Sequence, residues 1–177
     1  MTSEKVAANE ASKDALAAMD GDDEDEDTQK DKYLTFRIGE EDYGIEISYV
    51  TEIVGMHHIS EVPEMPGFVK GVMNLRGQII PVMDIRLRFS MDERSYDDRT
   101  CVVVVRMGET SIGLVVDTVK EVLNIPSELV TEPPRVASAK SARYIKGIGR
   151  LENEVKILID VNMLLHDEER DVLSTMA

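Results

Sequence analysis

Apolar and polar residues alternate in short runs through most of the chain beyond residue 32. The run YLTFRI at 33–38 is followed by the turn residues GEED and then by the longer run GIEISYVTEIV at 44–54. Such alternation is typical of half-buried β-strands, and a break rich in glycine and acidic residues is typical of a hairpin turn. The pattern therefore predicts a β-rich domain that begins near Tyr33.

Similar runs continue along the chain. GVMNLRGQIIPVMDI predicts two strands joined at Arg76-Gly77, TCVVVVRM and SIGLVVDTVKEVL predict further strands, and YIKGIGRL with EVKILIDV predicts a hairpin that turns at Glu152-Asn153. Loops marked by proline are expected at 62–67 and 126–142. Residues 161–176 place apolar side chains at helical intervals and predict a C-terminal helix.

The second half of the chain repeats the first. Residues 38–56 align without a gap on 107–125, and residues 68–85 align on 144–161, with apolar positions matching almost throughout. Because the apolar pattern specifies a fold, the repeat predicts two similar β units. We expect an all-β protein of two small, interleaved five-stranded β-barrels related by a pseudo-twofold axis. Closure into barrels would remove the strand edges that invite aggregation.

Charge is concentrated near the N-terminus. Residues 1–31 carry −8 of the formal net charge of −15, and residues 20–27 contain seven acids in eight positions. Such a segment cannot bury enough apolar surface to fold, so 1–31 is predicted to be a disordered acidic tail. The domain itself is expected over 32–166, followed by a helix end and tail at 167–177. The acidic balance excludes nucleic acid as a partner.

The sequence favours a cytoplasmic protein without direct membrane insertion. No stretch approaches the roughly 20 apolar residues that span a bilayer, and no positive segment followed by an apolar run opens the chain. The single cysteine, Cys101, cannot build a disulfide framework, and its place in the run CVVVV predicts a buried thiol.

No residue pattern indicates catalysis, a cofactor or a metal. The chain has no phosphate-cradling glycine loop, dinucleotide fingerprint or nucleophile elbow. His57 and His58 with Glu61 would ligate one ion only in an irregular loop, since adjacent strand residues point to opposite faces. Asp84 and Asp160 end equivalent strands, which indicates local turn caps rather than an acid–base pair. A small β-barrel enzyme stays as an alternative that a polar-lined apolar pocket would favour.

The most specific pattern is FVKGVMNLRGQIIPVMDIRLRF at 68–89. With EEDYGIEISYVTEI at 40–53, GLVVDTVKEVL at 113–123 and YIKGIGRL at 144–151, it resembles the CheW family of bacterial chemotaxis coupling proteins. The four segments occur in the family's order and spacing. The resemblance covers the chain from about Tyr33 to about Leu165.

This resemblance implies two five-stranded barrels and an adaptor without catalysis. Proteins of the family bridge the cytoplasmic tip of chemoreceptors to the regulatory domain of the histidine kinase CheA. They can also pair with other CheW-like domains in array rings, so recruitment to membrane-associated receptor arrays is implied. Two alternatives share the fold: a CheW-like adaptor of another receptor–kinase pathway, such as surface motility, and a detached kinase regulatory domain.

Seven residues are candidates for receptor or kinase interaction. By the resemblance, Val50 and Glu52 lie on a strand near the receptor-binding groove, and Gly71 borders the receptor site. Core packing is an equal alternative for Val50 and for Val122, the counterpart of Ile53. The full set is Val50, Glu52, Gly71, Asn74, Arg76, Gly77 and Val122.

Several of these candidates also carry a structural expectation. Gly71 and Gly147 recur at the same place in both units, which predicts a close backbone approach or a positive φ. Asn74 and Gly77 are expected to form the turn that shapes the loop presented to a partner.

Glu52 and Arg76 are expected to form an ion pair that orders the groove. A partly buried carboxylate in a β-run needs a partner, and the arginine of the NLRG turn is the candidate. A solvated hairpin tip is the alternative for Arg76.

The two copies diverge at their hairpins. NLRGQ becomes RLENE, so Arg76 corresponds to Glu152, and Pro81 corresponds to Ile157. Proline cannot donate to a strand ladder, which predicts an edge strand in the first unit and a better-paired strand in the second. This asymmetry favours two similar barrels that bind different partners.

Overall fold

The computed structural model describes residues 29–133 and 143–165 together with Glu169. These residues form β-strands, one short helix, α1 (Ile85–Arg88), and 3₁₀ turns at Ile47–Tyr49, Ser127–Leu129 and Val161–Met163. The strands are β1 (Lys32–Ile38), β2 (Glu41–Glu46), β3 (Val50–Gly55), β4 (Val69–Leu75), β5 (Gln78–Asp84), β6 (Cys101–Met107), β7 (Thr110–Val116), β8 (Thr118–Asn124), β9 (Val130–Thr131), β10 (Ile145–Leu151) and β11 (Glu154–Ile159). The all-β prediction is confirmed.

All four predicted hairpin turns are confirmed. β1 and β2 turn at Gly39, β6 and β7 at the equivalent Gly108, and both glycines have positive φ values near 63°. The other two turns lie at 76–77 and 152–153, between β4 and β5 and between β10 and β11. Glycine adopts this left-handed conformation without steric cost, which is why the GEED and GETS segments reverse the chain.

Each sheet combines strands from both halves of the sequence. One sheet has the strand order β3-β6-β7-β5-β4 and the other has β8-β1-β2-β11-β10-β9. The first hairpin of each half therefore pairs with the later strands of the other half. The parallel contacts β5–β7 and β11–β2 join the exchanged hairpins to their new sheets. We call these sheets the first barrel and the second barrel, respectively.

The two barrels close at equivalent points of the repeat. After β3 the chain returns to β4, where Ser60 and Val72 exchange two backbone hydrogen bonds of 2.8 and 2.9 Å. After β8 it returns to β10, where Thr131 pairs with Ile148, the repeat counterpart of Val72. In each barrel the chain that continues from one side of the sheet, after β3 or β8, thus pairs with the strand on the other side, β4 or β10. This pairing satisfies backbone groups that an open edge would expose.

The main core lies between the two barrels. β6 reads CVVVV because both of its faces are buried: Val103 and Val105 face the core between the barrels, whereas Val102 and Val104 fill the first barrel. A strand buried on both faces has no polar alternation. Cys101 is buried, as predicted, and its thiol donates to the carbonyl of Arg99.

Two local predictions were wrong. β5 is not an edge strand, because it lies between β7 and β4. Its parallel pairing with β7 begins only at Val82, whereas the equivalent pairing of β11 with β2 begins one residue earlier, at Ile157. Pro81 therefore occupies a position without a β7 partner, which is how an internal strand accommodates it. The loop predicted at 126–142 contains β9.

The remaining predictions fall largely outside the described residues. The acidic tail at 1–31 is described only from Gln29, and of the loop at 126–142 the part 134–142 is not described. Of the C-terminal helix predicted at 161–176, residues 161–163 form a 3₁₀ turn and residues 164–165 are bends, which differs from the prediction. Beyond residue 165 only Glu169, which is helical, is described. No helix in the described ranges has the length and apolar character of a membrane span.

Candidate interaction surfaces

The hairpin between β4 and β5 is an exposed tip of the first barrel. Asn74 Oδ1 accepts a 2.8 Å hydrogen bond from the backbone N–H of Gly77. Arg76 and Gly77 both have positive φ, at 52° and 85°. The turn-forming roles predicted for Asn74 and Gly77 are therefore confirmed, and they leave the Arg76 side chain 72% exposed.

Glu52 and Arg76 are in contact, as predicted. Arg76 Nη2 donates to Glu52 Oε2, and the carboxylate side chain is only 23% exposed. A β-bulge at Thr51 shifts the β3–β6 register between Val50 and Glu52, and the Thr51 hydroxyl donates to Val104 O at 3.1 Å. Because a bulge redirects the side chain that follows it, Glu52 reaches the hairpin of the neighbouring edge strand. Its role in partner binding stays a prediction.

Val50 and Val122 lie away from this contact. Val50 is 6% exposed within the core between the barrels, and Val122 is half-buried against the same core. Ile53, the repeat counterpart of Val122, is also buried there. Any influence of Val50 on a partner would therefore act through packing, whereas Glu52, Asn74, Arg76 and Gly77 form one surface.

Gly71 lies at the closure of the first barrel. Its φ is 142°, and a β-carbon added there would lie 2.0 Å from the carbonyl oxygen of Ser60. At Gly147 the same addition would meet Val130 Cγ1 at 2.6 Å and Thr131 O at 3.1 Å. The predicted close approach is confirmed in both units, and the positive φ in the first. Gly71 thus determines how the chain segment beside the Glu52–Arg76 surface is held.

Two exposed aliphatic side chains were not among the residues predicted from the sequence. Ile79 and Val155 are 41% and 52% exposed, and they occupy equivalent positions beside the hairpin tips of the two barrels. Ile79 pairs with Asn74 across its hairpin, and Val155 pairs with Arg150. The repeat alignment contained the signal, since an aliphatic residue stands at the same outward position in both copies. Their surroundings differ in charge, with Arg76 at the first tip and Glu152 at the second.

The interior of the second barrel contains a buried ion pair. Lys156 is 1% exposed, and its Nζ lies 2.5 Å from Asp42 Oδ2. Lys120 and Arg37 also donate to the Asp42 carboxylate. Burial alone would raise the pKa of Asp42, but the hydrogen bonds from these cations outweigh it and lower the pKa to about 2. The first barrel has Ile80 at the position of Lys156, so only one barrel carries this pair.

Asp84 and Asp160 are turn caps, as predicted. Their side chains accept hydrogen bonds from the backbone N–H groups of Arg86 and Asn162, two residues further along. Tyr96 also donates to Asp84, so that carboxylate has a second structural partner. His57 and His58 are exposed in the segment that closes the first barrel, and no cluster of three potential metal ligands occurs in the described parts of the chain.

Comparison with known proteins agrees with this architecture. The family model described as CheW-like domain matches residues 32–169. The chain is 37% identical over 151 residues to the chemotaxis protein CheW of Klebsiella aerogenes, covering 85% of this chain and 91% of that protein. It is 29% identical over 117 residues to the protein FrzA of Myxococcus xanthus, covering 66% of this chain and 72% of FrzA.

A solved structure shows the same fold. The crystal structure of the scaffolding protein TtCheW from Thermoanaerobacter tengcongensis superposes with a TM-score of 0.72 at 32% sequence identity, covering 78% of this chain and 94% of that chain.

Proposed function

This chain belongs to the CheW-like domain family, and from that premise we propose that it couples the cytoplasmic tip of chemoreceptors to the regulatory domain of the histidine kinase CheA. Family membership makes the chain a non-catalytic chemotaxis scaffold. The proposal adds the two partners, a cytoplasmic location and recruitment to membrane-associated receptor arrays.

The observation that carries the proposal is the pair of similar barrel tips with different surroundings. Ile79 and Val155 expose aliphatic surface at equivalent positions, next to Arg76 in the first barrel and Glu152 in the second. Exposed aliphatic side chains surrounded by polar groups are typical of protein interfaces, and a different arrangement of charged groups at the rim selects different partners. We propose that the Val155 surface binds a barrel of the kinase or of another CheW-like domain, and that the Glu52–Arg76 surface faces the receptor.

Replacing Val155 with glutamate is expected to weaken kinase binding by about tenfold or more, because a charge would be buried in an aliphatic contact. Calorimetric titration of the full chain against the regulatory domain of a CheA-type kinase from the same organism measures this. Leu129→Glu is the matched control, since Leu129 is 40% exposed at a site outside both hairpins. A kinase that does not bind the folded wild-type chain would remove the kinase half of the proposal.

Reversing the charge of Glu52 or Arg76 is expected to weaken receptor binding by about tenfold, and the double swap Glu52→Arg with Arg76→Glu should recover part of it. Either single reversal leaves a half-buried or exposed charge facing a like charge, whereas the swap restores the pair. Titration of all variants against a receptor-tip fragment gives the coupling energy. Thermal unfolding should change little, since a pair this exposed contributes at most about 1 kcal/mol to stability.

A zero coupling energy with both single variants folded would show that the contact does not order the receptor surface. Equal losses for receptor and kinase binding would instead assign the pair to general integrity of the first barrel.

The second candidate is an adaptor of another receptor–kinase pathway, as in surface motility. The similarity to FrzA is compatible with this alternative. Tight binding to a kinase or receptor from such a pathway, with weaker binding to the chemotaxis kinase of the same organism, would decide for it.

A further inference from the structure

Arg88 lies where the two repeat units meet. Its side chain, on α1, is only 9% exposed. The guanidinium carbon lies 4.3 Å from the ring centre of Phe68 and 4.9 Å from that of Tyr144. These two aromatic residues are repeat counterparts that precede β4 and β10. The carbonyl of Phe68 accepts a 2.9 Å hydrogen bond from the N–H of Asp84, and the carbonyl of Tyr144 accepts a 2.8 Å hydrogen bond from the N–H of Asp160. Equivalent backbone hydrogen bonds therefore position both rings.

The same side chain binds the C-terminal strap, which we define as residues 161–165 together with Glu169. Arg88 Nε donates a 2.6 Å hydrogen bond to the carbonyl oxygen of Leu164. Its Nη2 lies 3.5 Å from Glu169 Oε2, an ion-pair distance. When the alignment of 68–85 on 144–161 is extended by three residues, Leu164 is the counterpart of Arg88, so the contact joins equivalent points of the two halves.

The strap is continuous with β11 of the second barrel but makes its polar contacts with segments next to the first barrel. Asn162 Nδ2 donates 2.9 Å to the hydroxyl of Tyr49, which immediately precedes β3. Leu164 and Leu165 are buried in the core between the barrels. Apolar contacts of this kind hold the strap without direction, whereas the hydrogen bond from Arg88 to the Leu164 carbonyl defines where it lies. The ion pair with Glu169 adds electrostatic attraction at 3.5 Å.

Arginine is suited to this position and lysine is not. A planar guanidinium can stack on aromatic rings while its N–H groups in the same plane bind a carbonyl and a carboxylate. The second repeat has leucine at the equivalent position, so the single Arg88 contacts the aromatic residues of both halves.

We propose that Arg88 is a positioning residue that fastens the C-terminal strap to the first barrel and thereby holds the two barrels in one fixed orientation. The inference rests on the contacts within the fold, and only its consequence for bound partners depends on the proposed function. If each barrel binds a different partner, a fixed angle between barrels sets the geometry in which the adaptor holds them.

The test measures the distance between barrels in the full chain without any partner. Spin labels are attached at Ile79→Cys and Val155→Cys in a Cys101→Ala background, one label at each barrel tip. Arg88→Met is expected to widen the distance distribution at least twofold, Arg88→Lys to give an intermediate width, and Glu169→Gln a smaller increase. Arg106→Met is the matched control and should leave the width unchanged, since Arg106 is exposed and donates to Gly108, two residues away.

Amide hydrogen exchange separates positioning from general stability. The N–H groups of Met163 and Leu164, which bond to Asp160 and Val161, should exchange at least tenfold faster in Arg88→Met, with amides of β6 and β7 unchanged. Equal acceleration in β6 and β7 would assign Arg88 to stability alone and overturn the proposal. Wild-type width and exchange in folded Arg88→Met would also overturn it. If that variant does not fold, Arg88→Lys decides by the same two measurements.

Discussion

Replacing Gly71 with alanine is expected to lower the free energy of unfolding by at least about 3 kcal/mol. The added β-carbon would lie 2.0 Å from the Ser60 carbonyl oxygen, a backbone atom that bonds to Val72 and closes the first barrel. A φ of 142° is also unfavourable for any residue with a side chain. Relief of this clash requires the segment around Ser60 to move away from β4, so the pairing of Ser60 with Val72 should be lost. Chemical denaturation monitored by circular dichroism measures the change.

Alanine substitutions at two other glycines provide a comparison, because a β-carbon meets less steric conflict there. Gly147→Ala should cost clearly less, because its nearest obstacle is a movable valine side chain at 2.6 Å. Gly67→Ala should be close to neutral, because a β-carbon there has no neighbour within 4 Å. A Gly71 variant as stable as the Gly67 variant would show that the segment around Ser60 is free to move away. Receptor binding by Gly71→Ala should be interpreted only after this measurement.

Replacing Asp42 with alanine is expected to destabilise the protein by about 3–5 kcal/mol, because it leaves the buried ammonium of Lys156 without its closest buried partner. Lys156 is 1% exposed, and its remaining carboxylate partner, Glu154, is at the surface. The double variant Asp42→Ser with Lys156→Ile copies the residues of the first barrel, Ser111 and Ile80, at the same positions. It should recover most of the lost stability, since an apolar interior has no charge to neutralise.

The same pair predicts a stability change in acid. The pKa of Asp42 is about 2 in the folded protein and 3.8 is its ordinary value. A carboxyl with a lowered folded pKa stabilises above its unfolded pKa, and this contribution is lost as pH falls through the folded pKa. Roughly 2 kcal/mol should therefore disappear between about pH 4 and pH 2. The Asp42→Ser/Lys156→Ile variant should lose less over this interval. Identical profiles for both proteins would contradict the assignment.

Much of the candidate surface followed from sequence reasoning, for local reasons. The NLRG turn placed Asn74, Arg76 and Gly77 correctly because turn conformations depend on a few adjacent residues. The Glu52–Arg76 contact followed from the need of a partly buried carboxylate for a partner. The exposure of Ile79 and Val155 did not follow, because alternation tells which face a side chain occupies but not whether another element covers that face.

The sequence by itself determined the all-β class, the hairpins, the duplication and the glycine positions where backbones meet. These features follow from alternation, turn chemistry and steric exclusion, which act within a few residues. The tertiary structure decided which strands pair. The halves exchange their first hairpins, β5 becomes internal despite Pro81, and Lys156 points into a barrel where its counterpart is Ile80. It also brought Arg88 between Phe68 and Tyr144. Such outcomes depend on long-range contacts between two nearly equivalent copies, whose similar apolar patterns fit either partner, so only packing of the whole chain selects among them.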